Sequence, residues 1–170
     1  LLRDYGTWEL EEVLRPAIDL ANQGFPLVLR IVQAIVAVHD RVRLEWPDSA
    51  KTWLPDGKVP ELNQLFRLHA IASTYTRIVR EANGKSADRR ERIDTALSIW
   101  YDGFVAKTID HYYRTKAVRD TTGQRNPGLL RLEDMAHWRP AYETPVTLQY
   151  GRYTVAKCGA WSQGPVFLQQ

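Results

Sequence analysis

Pro145-Val146-Thr147-Leu148-Gln149-Tyr150-Gly151-Arg152-Tyr153-Thr154-Val155-Ala156-Lys157-Cys158 is the stretch in which the chain abandons helical spacing for strict alternation. A period of two belongs to a half-buried strand, and Gly151-Arg152 between the two runs predicts a β-hairpin closed by a tight turn. A lone two-stranded hairpin is marginal in water, so these strands are expected to join a sheet whose other members lie outside the chain. Everything before Pro145 follows the helical period. The expected fold class is therefore mainly α: helical hairpins followed by a C-terminal β-hairpin.

Upstream of that hairpin, Leu132 to Trp138 predicts a short helix stopped before Pro140, and the polar, glycine-bearing run from Ala117 to Arg131 predicts a loop. A helix is expected over about Arg67 to Asn83, with Leu68, Ile71, Ala72, Tyr75, Ile78, Val79 and Ala82 on one face and Gly84 as its stop. Another starts at Ser86 and presents Ile93, Ala96, Leu97 and Trp100; Gly103 separates it from one carrying Phe104, Val105, Thr108, Ile109 and Tyr112. Trp46 to Phe66 contains three prolines and the turn Pro55-Asp56-Gly57, so it reads as a surface connection holding one short helical turn, pinned by Trp46 and Trp53. Two helices open the chain. The first spans about Thr7 to Gln23, is capped by Thr7 and is expected to kink or break at Pro16. Gly24 and Phe25 suit a Schellman-type ending and Pro26 the start of the second, about Leu27 to Glu45, and the two are expected to pair as an antiparallel hairpin.

Both ends read as interior sequence. Leu1-Leu2-Arg3-Asp4-Tyr5-Gly6 opens on an apolar pair, and Pro165-Val166-Phe167-Leu168-Gln169-Gln170 begins a helix without the Gly, Asn or basic residue that satisfies a last turn. The chain is expected to be a piece of a larger protein, with residues 1–143 a helical region and 144–170 a β-hairpin and the start of a helix.

The composition narrows the function classes. At 170 residues, 44% hydrophobic and 25% charged, the chain has the make-up of an ordinary globular domain, and it has no apolar run of the eighteen or so residues a bilayer needs. Its net charge is +3, and its 17 arginines are scattered rather than gathered into a stripe, which argues against nucleic-acid binding. Cys158 stands alone and permits no internal disulfide, so compartment is not read from it.

Five groups of residues invite chemistry. Asp120-Thr121-Thr122-Gly123 has a threonine after an acid, as at a self-cleaving site, but such a nucleophile needs its own α-amine and a following strand, and a polar turn is the expected role. His39, His69, His111 and His137 show no pairing at ligand spacing and no cysteine partner. Glu133 and Asp134 are neighbours that point about 100° apart on a helix and suit its first turn. Gly159-Ala160-Trp161-Ser162-Gln163-Gly164-Pro165 lacks the glycine spacing and lysine of a phosphate loop and reads as a strand-to-helix turn capped by Ser162. Trp100-Tyr101, Tyr112-Tyr113 and Trp138 fit core or interface positions.

The order of these pieces resembles the γ-glutamyltransferase (γ-glutamyltranspeptidase) family of N-terminal-nucleophile hydrolases. The resemblance rests on Tyr5-Gly6-Thr7, Ala17 through Pro26, Trp46-Pro47-Asp48-Ser49-Ala50, Leu54-Pro55-Asp56-Gly57, and Leu65-Phe66-Arg67. It continues in Tyr101 through Lys107, Gly128-Leu129-Leu130 with Glu133-Asp134-Met135, Tyr150 through Val155, and Ser162 through Gln170. It implies an interior, mostly helical part of the family's large subunit, within a layered αββα fold. In that family a proenzyme cuts itself ahead of a threonine, which then attacks a γ-glutamyl amide such as glutathione. The resemblance places that threonine, in a Thr-Thr-His context, beyond Gln170, and the arginine that grips the substrate carboxylate before Leu1. It therefore implies no catalytic, cofactor-binding or metal-binding residue at any position here, and no cofactor. The implied partners are the rest of the large subunit and the small subunit, with the γ-glutamyl substrate bound by the parent. The alternative reading is a self-contained, non-catalytic helical interaction module, and exposed apolar surface would drive self-association in either case.

Overall fold

A computed structural model describes residues 1–169 and divides them into two units, Leu1–His137 and the residues from Trp138 onward. In the first unit a short helix α1 (Leu2–Tyr5) precedes α2 (Leu10–Gln23). The N-cap of α2 is Glu9 rather than Thr7: the Glu9 amide donates to the Glu12 carboxylate at 3.1 Å, in capping-box geometry that places acids at the positive helix end. Pro16 sits inside α2 without ending it, because the helix runs unbroken from Leu10 to Gln23.

Gly24 stops α2, but not by a Schellman turn. Its φ of +106° comes with a ψ of 154°, an extended conformation open to glycine, and a Cβ there would lie 3.3 Å from both Leu65 and Arg67 side-chain carbons. The chain consequently leaves α2 as a strand: β1 (Phe25–Pro26) pairs antiparallel with β2 (Leu65–Phe66), with Phe25 opposite Phe66 and Pro26 opposite Leu65. Pro26 therefore does not begin a helix; α3 runs from Leu29 to Glu45.

That pairing also overturns the expected hairpin of the first two long helices. The partner of α2 is α5 (His69–Asn83). The Leu68 amide donates to the Ala21 carbonyl at 2.7 Å at one end, and Asn83 Nδ2 donates to Glu11 at 2.9 Å at the other, which fixes the two helices antiparallel. Between them the connection from Trp46 to Phe66 holds α4 (Pro47–Trp53) and a 3₁₀ turn (Pro55–Gly57). Trp53 stacks on Phe66 at 5.4 Å between ring centroids and Phe25 meets the same ring edge-on at 6.1 Å, so the tryptophan does pin this segment.

Two helices follow α5: α6 (Arg89–Tyr101) and α7 (Phe104–Thr115). The N-cap of α6 is Asp88, whose carboxylate accepts from the Glu91 amide, while Ser86 donates to the Glu91 side chain. Ile78 and Ala82 of α5, Ala96 of α6 and Val105 of α7 form one buried cluster, flanked by Leu10, Tyr75, Ile99, Trp100, Phe104 and Ile109. A second cluster, Ile35, Val42 and Leu54, lies where α3 meets α4.

The segment from Ala117 to Arg131 is not a loop throughout. Ala117–Arg119 (β3) and Arg125–Pro127 (β4) pair antiparallel, with Arg119 opposite Arg125. A three-residue strand has too little alternation to be read in sequence, and its polar residues are exposed on both faces. The helix α8 (Leu132–His137) closes the first unit.

The second unit contains β5 (Val146–Tyr150) and β6 (Tyr153–Lys157), paired in the register Val146–Lys157 through Tyr150–Tyr153 around Gly151-Arg152. The period change is thus borne out. A short helix α9 (Gly164–Leu168) packs on this hairpin, with Lys157 Nζ 3.9 Å from the Phe167 ring centroid.

Candidate functional site

The turn Asp120-Thr121-Thr122-Gly123 forms the tip of the β3–β4 hairpin. The Asp120 carboxylate accepts from the Thr122 hydroxyl, from the Thr122 amide at 2.8 Å and from Asn126 Nδ2 at 2.8 Å. These donors, the Thr122 hydroxyl first, hold the Asp120 carboxyl below the usual carboxylate range. An ionised, thoroughly hydrogen-bonded carboxylate is a poor base, and both threonines are mid-chain with no α-amine beside their hydroxyls. The arrangement builds a turn and leaves Thr122 without activation as a nucleophile.

Glu45, at the last position of α3, anchors this hairpin. Its two carboxylate oxygens each take one guanidinium, Arg119 Nη1 on Oε1 at 2.9 Å and Arg125 Nη2 on Oε2. Because Arg119 and Arg125 are cross-strand partners, the fork engages both only when the hairpin is in register. Next to it, Trp46 Nε1 donates to the Arg119 carbonyl at 3.0 Å. Sequence reasoning missed this anchor; its one signal was the pair of arginines flanking the Asp-Thr-Thr-Gly turn. The cleft beside it, about 340 Å³, is lined by Asp40, Arg41, Leu44, Glu45 and the hairpin tip. Its acids are engaged internally: Glu45 by two arginines, Asp120 by its turn, and Asp40 by the His39 ring at 3.0 Å.

Several of the remaining candidates make local hydrogen bonds. His69 contacts Asn22 Oδ1 at 3.1 Å and His137 the Glu133 carbonyl at 2.7 Å, and no cluster of three metal-ligating side chains occurs among the described residues. Asp134 accepts from the Arg131 amide at 2.8 Å at the start of α8. Asp110 of α7 binds Arg114 at 2.8 Å and the Leu132 amide at 3.2 Å; its carboxyl is held low, chiefly by Arg114. In the second unit the N-cap of α9 is Gln163 rather than Ser162, although the Ser162 hydroxyl, one residue earlier, accepts from the Gly164 amide at 3.0 Å. Also in that unit, Trp138, Tyr142, Trp161 and two prolines wall an open hollow of about 790 Å³, with Trp161 Nε1 bound to Glu143. The hollow of the second unit is also lined by Glu143, Lys157 and the exposed Cys158.

Similarity to known proteins runs along the whole chain. The model of the family described as Gamma-glutamyltranspeptidase matches residues 1–170. The "Glutathione hydrolase-like YwrD proenzyme" of Bacillus subtilis (strain 168) is 26% identical over 168 residues, covering 96% of this chain and 26% of that protein. "Glutathione hydrolase proenzyme 1" of Schizosaccharomyces pombe is 21% identical over 164 residues, covering 96% and 22%. Among solved structures, the protein named LmbA2991HD superposes with a TM-score of 0.94 at 38% identity, covering 99% of this chain and 29% of that one. The gamma-glutamyltranspeptidase of Helicobacter pylori shares the fold at a TM-score of 0.75 and 23% identity, covering 98% and 41%. The chain spans about a quarter of the length of the curated relatives it matches. With one family's model accounting for every position and the same fold found in that family's solved structures, the chain belongs to the gamma-glutamyltranspeptidase family.

Proposed function

We propose that residues 1–170 are an interior portion of the large subunit of a γ-glutamyltransferase-like proenzyme, which transfers or hydrolyses the γ-glutamyl group of glutathione-type amides. On this reading residues 1–143 are the helical region, and 144–170 lead into the remainder of an αββα fold. The observation that carries the proposal is the end-to-end family match of a chain that spans only about a quarter of its curated relatives. Covalent catalysis needs a hydroxyl activated by an effective base, and the Thr122 hydroxyl meets only the Asp120 carboxylate, which its hydrogen bonds keep weakly basic. The chemistry is assigned to the remainder of the parent, with a chain-starting threonine as nucleophile and its α-amine as base. No residue of this chain is catalytic, and none holds a cofactor or a metal.

The test uses the full-length protein from its native reading frame. Replacing the threonine of its Thr-Thr-His-type segment by alanine is expected to abolish both self-cleavage and release of p-nitroaniline from γ-glutamyl-p-nitroanilide, while residues 1–170 alone release none. Release by residues 1–170 alone would overturn the assignment. A second reading, a non-catalytic helical interaction module, is favoured by the exposure of Trp8, Trp138 and Trp161. It predicts a reading frame with no such threonine.

A further inference from the structure

The helix α3 carries far more apolar surface than its neighbours cover. Projected at about 100° per residue, Ile31, Ile35 and Val42 fall within roughly 40° of one another, and this sector faces α4. Leu29 and Val36 lie about 120° further round, with Val32 between the two sectors. Leu29 is 54% exposed and Val36 56%. At the foot of the same stripe, exposed Val28 follows β1, where Pro26 pairs with the exposed Leu65. An amphipathic helix of a free-standing domain turns polar outside its buried sector; along its first two turns α3 keeps Leu29, Val32 and Val36 there, with His39 and Arg43 following on the same side further along. A contiguous stripe of this kind marks a contact surface.

We infer that the Leu29–Val32–Val36 stripe of α3 is a docking surface for an apolar face of the rest of the same polypeptide, an inference that rests on the parent-enzyme reading above. The occupant follows from size and energetics. LmbA2991HD reproduces this fold at a TM-score of 0.94, yet only 29% of its length corresponds to this chain, so most of a protein of this fold lies outside residues 1–170. Segments of one polypeptide cover a stripe without the loss of translational and rotational freedom that a separate partner entails. A second copy docking stripe to stripe contributes three aliphatic side chains from each side, well short of the roughly 1,200 Å² that a stable interface buries.

Thiol labelling of the full-length native protein tests this. Leu29→Cys and Val36→Cys are made singly in a background without other reactive thiols, Cys158→Ser included, and each is reacted with a maleimide in buffer and in denaturant. The expected result is labelling at least about 100-fold slower in the native protein than in denaturant at both positions, independent of protein concentration. Near-equal rates in the two conditions overturn the docking surface. Protection that disappears on dilution also overturns it, in favour of a second copy. Cysteine is a mild replacement here, and a variant that does not fold is replaced by Val32→Cys, read in the same way. Hydrolysis of γ-glutamyl-p-nitroanilide by the unsubstituted protein is scored separately: a protein inactive there but protected at α3 loses the enzyme reading and keeps the surface.

Discussion

Ile78 at the middle of α5 is 5% exposed, whereas Leu148 at the middle of β5 is 43% exposed, although both sit at apolar positions of a clean periodic pattern. In the helical unit the pattern finds its complement within the chain, because α2, α6 and α7 bring Leu10, Ala96 and Val105 around α5. In the hairpin unit the pattern is equally regular and every residue of β5 is exposed. Periodicity thus reports which face of an element is meant to be covered, and says nothing of whether the cover is present.

The comparison is broken most directly by truncating both residues. Ile78→Ala removes buried methyl groups and leaves a cavity, and is expected to destabilise the helical unit by about 2–5 kcal/mol in chemical denaturation. Next comes Gly164→Ala. A Cβ there would lie 2.1 Å from the Cys158 carbonyl oxygen, so backbone has to move, at about 1–3 kcal/mol. Amide exchange along β6 should accelerate while exchange in α5 stays unchanged. Glu45→Ala strips the fork from the β3–β4 hairpin and is expected to speed tryptic cleavage after Arg119 and Arg125 about five-fold, as suits a loss near 1 kcal/mol in an exposed network. Leu148→Ala is expected to change the stability of residues 1–170 by less than about 0.5 kcal/mol. A cost above about 2 kcal/mol would mean that β5 is covered after all.

The smallest effect is one of pH. Asp120 and Asp110 have folded-state carboxyls held below their unfolded value of about 3.9. The stability they contribute is fully present above that value and is lost as pH falls through the folded one. Exchange at the Thr122 and Leu132 amides should therefore be flat from pH 7 to about 4, once corrected for intrinsic rates, and lose protection below it. Loss of protection well above pH 4 would refute the assignment.

Legibility in the sequence tracked the strength of local signals. The faces of α5, α6 and α7 were readable because seven or so apolar residues repeat at helical spacing and Gly84 and Gly103 punctuate them. The β5–β6 turn was readable from Gly151, which adopts a φ of +57°. The pairing of α2 with α5 was not, because it is decided by two-residue strands, Phe25–Pro26 and Leu65–Phe66, too short to show a period. Pro16 raised the expectation of a kink or a break, and α2 runs through it without a break. At the hairpin tip, the acid-threonine pairing was visible and its role as a turn was correctly expected. The Glu45 fork was invisible, since it joins residues 74 and 80 positions apart whose only local mark is charge.

That separation sets an order of events during folding. Strands β3 and β4 can zip on their own, as short hairpins do within microseconds, but the fork cannot close until α3 has formed and its end has been brought to the turn. Closing a loop of this length is entropically unfavourable until the intervening helices have packed. Glu45 therefore acts as a late checkpoint: it captures the two arginines only after the chain between them has found its place, and a hairpin zipped one residue out of step meets it with one hand empty.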